Sequence, residues 1–202
     1  TTPVWSTSAA FLTNFVTVNK IFFLTLIDIV LLLVIFYAIW KSFGLEIMLV
    51  SLIFFLVNFF STFDWFGGAF LRYDWFVALV LALCMINSKR YYCAGACVAY
   101  ATMIRIFPVL FLTGPFLKAI SEFLSRKITS DKYKKLFASF IISCLVLFCY
   151  SSFRGNLIRN WVDFKKKIIS YNESLITNSV GLKVILLSER KWFNPHVLAS
   201  EY

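Results

Sequence analysis

Histidine is almost missing from this chain: His196 is the only one among 202 residues. That count argues against a haem held by two histidines and against a histidine-based catalytic triad. Acids are scarce too, ten Asp and Glu against twenty Lys and Arg, for a net charge of +10. The basic excess does not point to nucleic acid, because the cations lie between apolar runs and carry no nucleic-acid motif. They read as topology signals and as contacts to anionic membrane lipids. The cysteines are five, Cys84, Cys93, Cys97, Cys144 and Cys149, all in or beside apolar segments, which favours small buried thiols over disulfides. Cys93 and Cys97 share a helix face, yet no second pair or nearby histidine completes a metal site, so neither metal nor other cofactor is expected. Strand-like alternation is absent. The chain opens on Thr1, with no Met and no signal-peptide pattern, and is expected to be a fragment of a longer protein.

What is abundant is apolar. Sixty per cent of the residues are hydrophobic and 24 are Phe, against the roughly 45–50% of a soluble domain, and they gather in long runs. The expected solvent is lipid, and satisfying the backbone there leaves helices as the spanning element. The expected fold is all-α, a polytopic transmembrane helical bundle.

Residues 1–20 read as a polar lead-in, exposed or interfacial. Residues 21–153 form the transmembrane domain, with spans near 21–40, 45–60, 69–87, 91–117 and 136–153. Asp28 inside the first span carries an insertion cost of about 2.5–3.5 kcal/mol, so it should face other helices and find a partner, unless it lies at the interface. The 91–117 segment is broken at Pro108. It is either one kinked span or a re-entrant hairpin of two short helices, with Arg105 and Pro108 at the tip. Basic residues on both flanks, Lys89 and Arg90 before it and six Lys or Arg between Lys118 and Lys135, favour the hairpin, which returns the chain to the side it left. Residues 154–202 form a basic tail with an amphipathic interfacial helix over 160–171. The hairpin puts this tail on the outer face, and that is the expected placement, although its eight Lys or Arg would favour the cytoplasmic one.

The stretch DWFGGAFLRYDW, residues 64–75, departs from an ordinary span. Gly67 and Gly68 permit a turn or close approach to a ligand, Trp65 and Trp75 suit the headgroup zone, and Asp64, Arg72 and Asp74 can face water or a head group. The plain alternative is an interfacial loop whose charges pair with one another. For Arg105 the alternatives are phosphate binding or an internal ion pair with Asp28 or Asp74.

Three ordered blocks, FDWFGGAFLRYDWFVALVLAL, NSKRYYCAGACVAYATMIRIFPVLF and WVDFKKKIISYNESLITNSVGLKVIL, resemble bacterial multi-pass membrane proteins related to glycosyltransferase family 87. That family has the GT-C fold and uses polyprenyl-phosphate sugars. The resemblance implies a broken or re-entrant helix pair and an enzyme of the bacterial cytoplasmic membrane that passes a sugar from a lipid-phosphate carrier to an acceptor at the outer face. Arg105 with Pro108 occupies the position of the family's basic residue three before proline, and Asn178 with Ser179 is similar to its late outer-loop element. Glycosyl transfer needs a base, for which Asp64 and Asp74 are the available outer carboxylates. It also needs cations on the phosphate, for which Arg72, Arg105 and Lys183 are candidates, while Gly67, Gly68 and Asn178 are candidates for substrate contact. The family places its catalytic acid in a first outer loop that would lie upstream of Thr1. Either that loop belongs to a longer chain, or Asp64 or Asp74 has its role, or the protein is a non-catalytic subunit scaffolding other membrane subunits.

Overall fold

The computed structural model describes residues 2–16, 22–57, 71–124, 131–153 and 159–173. They are mostly helical, with short turns between helices and no strand among the described residues. The chain divides into two units, Thr1–Asn160 and Trp161–Tyr202.

In the first unit, α1 (Pro3–Thr13) is opened by Thr2, whose hydroxyl accepts from the Trp5 amide at 3.3 Å, and by Pro3, placed where its missing N–H costs nothing. The polar lead-in expected over 1–20 is therefore partly a packed helix: Val4, Thr7 and Ala9 are buried. Its small Thr, Ser and Ala side chains let it settle against α5 and α7. α2 (Phe22–Phe43) and α3 (Leu45–Val57) form a hairpin through the single residue Gly44, whose φ of 94° lies where a β-carbon is disfavoured. Phe36 and Phe55 meet across it, ring centres 6.0 Å apart.

α4 (Asp74–Asn87) and α5 (Tyr91–Ile104) are joined by a tight turn in which the Arg90 amide donates to the Met85 carbonyl at 2.8 Å. Lys89 sits in this turn at a φ of 59°, a left-handed position that glycine usually fills. Lys89→Gly is expected to raise stability by about 0.5–1 kcal/mol, the relief of strain being partly offset by a freer unfolded chain. Thermal unfolding in detergent followed by circular dichroism measures it.

α5 ends at Ile104, four residues before Pro108, rather than at the proline itself. A proline ring collides with the carbonyl four residues earlier, so Arg105 turns extended, φ −131° and ψ 131°. The chain continues as a 3-10 helix, Phe107–Leu112, and α6 (Thr113–Leu124). α7 (Asp131–Phe153) runs parallel to α5. Tyr92 and Gly95 near the start of α5 meet residues 136–140, and Tyr100 lies in electrostatic reach of Tyr150 near the end of α7. The chain thus returns across the bundle between α5 and α7, α6 lying beside the first turns of α7 with Phe116 and Phe137 6.3 Å apart.

The core is built from small residues. Ala82, Ala94 and Val98 are fully buried together with Leu112 and Leu136, and a second cluster joins Leu32, Ile35 and Val77. Small side chains let helix backbones approach closely. α2 and α7 are long and apolar enough to cross a membrane, and α3, α4 and α5 are shorter apolar helices. Much of α2 and α7 presents Leu33, Val34, Ile141 and Leu145 outward.

In the second unit, α8 (Arg159–Glu173) is amphipathic. Trp161, Phe164 and Ile168 recur at helical spacing, and Lys165, Lys166 and Lys167 are exposed.

Candidate functional site

One end of the first unit gathers polar groups from four helices. Near the start of α2, Asp28 is only 3% exposed, and its Oδ2 accepts from the Arg72 amide at 3.2 Å. A buried carboxylate is tolerable only with such donors, and this one offsets part of the cost of an acid inside this apolar helix, Oδ1 being buried without a hydrogen bond among the described residues. The chain reaches Arg72 through Leu71, which has a φ of 52° and whose carbonyl accepts from Trp5 Nε1 at 3.1 Å. α1 therefore fastens the entry to α4. Asp28→Ala is expected to cost about 1–3 kcal/mol by leaving the Arg72 amide unpaired, and Asp28→Asn, which keeps an acceptor, distinctly less. Urea midpoints of the two variants decide this, and equal losses would mean that the charge, not the acceptor, matters.

Asp74 is the first residue of α4 and is 4% exposed. Its Oδ1 accepts from the Trp75 amide at 2.7 Å and its Oδ2 from the Tyr100 hydroxyl at 3.5 Å. Tyr100, on α5, also pairs with Ser8 of α1. The Asp28 carboxylate and the Arg105 guanidinium both lie within electrostatic reach of Asp74. Trp75 and Phe107 meet edge to face, centres 4.8 Å apart, and so close the end of α5 onto the start of α4. No ion pair within 4 Å joins Arg105 to either acid among the described residues, and Arg105 itself is exposed.

Two hollows adjoin this cluster. A cleft of about 470 Å³ lies between α1, α2, α4 and α5, with Asp74 and Tyr100 in its wall and Leu12, Ile27 and Leu31 opposite. A larger apolar groove of about 810 Å³ runs between α2, α3 and α4, lined by Ile39, Val50, Phe54 and Phe55 and reaching Tyr73 and Trp75. Carboxylates have about four lone-pair sites, so Asp74, with two protein donors, retains acceptor capacity toward a molecule in the cleft.

Of the residues singled out from the sequence, Arg72, Asp74 and Arg105 come to this one end of the bundle. Asp64, Gly67, Gly68, Asn178 and Lys183 lie outside the described residues, as does part of the stretch 64–75. Tyr100 and Trp5 were not singled out. Tyr100 had only a weak signal, a hydroxyl-bearing ring five residues before Arg105 in a helix that also carries Tyr91, Tyr92 and Thr102, and Trp5 had none. No group of three or more His, Cys, Asp or Glu side chains converges among the described residues. Comparison with family models, with characterised proteins and with solved structures finds no match to this chain.

Proposed function

We propose that the chain is part of a polytopic membrane glycosyltransferase of the GT-C type, one that moves a sugar from a polyprenyl-phosphate carrier to an acceptor at the outer face of the bacterial cytoplasmic membrane. The observation that carries the reading is the convergence of Asp74 and Arg105, 31 positions apart by their numbers, beside a cleft and at the head of an apolar groove. Depth supports it. At 1.5 Å per residue, the helical rises from Lys41 to Asp28, from Asn87 to Asp74 and from Tyr91 to Arg105 are each roughly 20 Å. Hydrocarbon is about 30 Å thick. With the basic end at the cytoplasmic interface, three ionisable groups then stand roughly 10 Å below the outer boundary, where such groups persist only for a function or a partner.

In this reading Asp74 takes the proton from the acceptor hydroxyl as its oxygen attacks the anomeric carbon. The bond from that carbon to the phosphate oxygen breaks, and the polyprenyl phosphate leaves with the electron pair. Arg105 and Arg72 offset the charge on the departing phosphate. The isoprenoid chain lies in the groove between α2, α3 and α4, whose apolar wall and volume suit a ligand of that kind. Asp64, Asn178 and Lys183 are kept from the sequence as candidates for a second acid, a substrate contact and a further cation.

The test gives membranes containing the full-length protein a radiolabelled polyprenyl-phosphate sugar or the matching nucleotide sugar. Label should move to an acceptor from the lipid donor alone. Transfer no greater than in membranes lacking the protein would end the reading. One observation favours a second reading, a non-catalytic subunit that holds other membrane subunits: both oxygens of Asp74 already have protein donors, as a purely structural carboxylate would.

A further inference from the structure

The end of the bundle opposite Asp74 has a composition of its own. The α4–α5 turn brings Lys89 and Arg90 there, α6 brings Lys118, and the first turns of α7 bring Lys132, Lys134 and Lys135. Of the acids at this end, Glu122 pairs with Lys132 at 4.0 Å and Asp131 with Lys134 at 3.7 Å, while Glu46, beside the α2–α3 turn, is exposed and has no ion pair among the described residues, so cations outnumber acids here. Lys89, Arg90, Lys118 and Lys135 have no ion-pair partner among the described residues, and all four are exposed. On α6, Leu117, Ile120 and Leu124 fall on one side at helical spacing and are 65%, 37% and 75% exposed. Lys118 and Glu122 fall on the other side.

We infer that this end is a docking surface for anionic phospholipid, with α6 at the headgroup boundary, its leucine face among the acyl chains and the four unpaired cations on the head groups. An apolar stripe rimmed by cations matches a lipid that is apolar at one end and anionic at the other. A protein partner would need no such pairing of apolar stripe with cationic rim. Lys89 adds a separate argument. The turn would be easier with glycine, yet a lysine is held there in the left-handed region, so a cation is kept at a position where the backbone disfavours it. The inference does not depend on the transfer reaction proposed above.

The test uses the purified full-length protein, delipidated in dodecyl maltoside, with equal amounts of phosphatidylglycerol and phosphatidylcholine added, and native mass spectrometry to count adducts. Phosphatidylglycerol adducts should exceed phosphatidylcholine adducts by at least about tenfold. The variant Lys89→Gly, Arg90→Gln, Lys118→Gln, Lys135→Gln should bring the two near parity. If that variant does not fold, the double variant Lys118→Gln, Lys135→Gln, both on exposed helical positions, should lose about half of the preference on a logarithmic scale. Substituting Lys165, Lys166 and Lys167 by Gln should leave the preference in place. An absence of preference in the unaltered protein overturns the inference, as does a preference that survives the fourfold variant or vanishes in the α8 variant. Loss of the phosphatidylglycerol adducts to millimolar inorganic phosphate would equally overturn it, by showing a small-anion site instead of a lipid surface.

Discussion

Asp74→Asn is expected to lower sugar transfer by about 10²–10⁴-fold, the usual contribution of a positioned base. The substitution is nearly isosteric. Its amide oxygen can still accept from Trp75 or from Tyr100, whose bonds to Asp74 are 2.7 Å and 3.5 Å, so the fold should persist while the proton acceptor is gone. Arg105→Ala should cost about 10²–10³-fold by removing a cation from the leaving phosphate. Arg105→Lys should recover part of that, since an ammonium supplies charge without the two-pronged geometry of a guanidinium. Tyr100→Phe separates orientation from chemistry: it leaves the base but removes one of its donors, and a smaller loss is expected than from Asp74→Asn. All four are measured as initial rates of label transfer, alongside unfolding curves of the same preparations. Asp74→Asn turning over at the unaltered rate, with an unchanged unfolding curve, would remove Asp74 from the chemistry and leave the structural reading standing.

Gly95 is the position at which one carbon atom should do the greatest structural damage. A β-carbon there would run into the Leu136 carbonyl, the Phe140 amide and the β-carbon of Ser139. Two of these are backbone and have no rotamer to adopt, so α5 and α7 must separate. The separation would strain the bond from Ser139 Oγ to the Tyr92 carbonyl, 2.5 Å long, and loosen the cluster of Ala94, Val98 and Leu136. Gly95→Ala is expected to cost about 1–3 kcal/mol, and Gly95→Val more. Gly114 is the internal control. Nothing lies within 4 Å of a β-carbon built there, so Gly114→Ala near the start of α6 should be neutral or slightly stabilising. Unfolding in a mixed micelle, titrated with dodecyl sulfate, measures both. Equal behaviour of the two alanines would show that α5 and α7 are not in close contact.

Much of the helical layout was legible. The long apolar run of α2, the glycine link at Gly44, the basic turn at Lys89 and the break before Pro108 all follow from local chemistry, which is written in consecutive residues. The break lies within Ile104–Pro108, at Arg105, because a proline acts on the carbonyl four residues upstream. The lead-in was harder. Val4 and Ala9 are too few and too small to announce burial, and only contact with α5 and α7 makes them core.

The site shows the same division. Local sequence marked Asp28, Arg72, Asp74 and Arg105 as charges that an apolar chain must accommodate, since hydrocarbon solvates none of them. It left open which would meet. Asp28 is held by a backbone amide 44 positions away, and no pattern of side chains reveals a main-chain donor. Tyr100 reached Asp74 because α4 and α5 pack through alanines closely enough for a phenol to span them.

What the amino-acid order alone determined, then, is an all-helical chain with apolar runs bounded by cations, because burial and backbone pairing depend on residue type and spacing. Which polar groups share one end, and which glycine is indispensable, were decided by the packing of α4, α5 and α7, because those are distances between segments that no local pattern encodes.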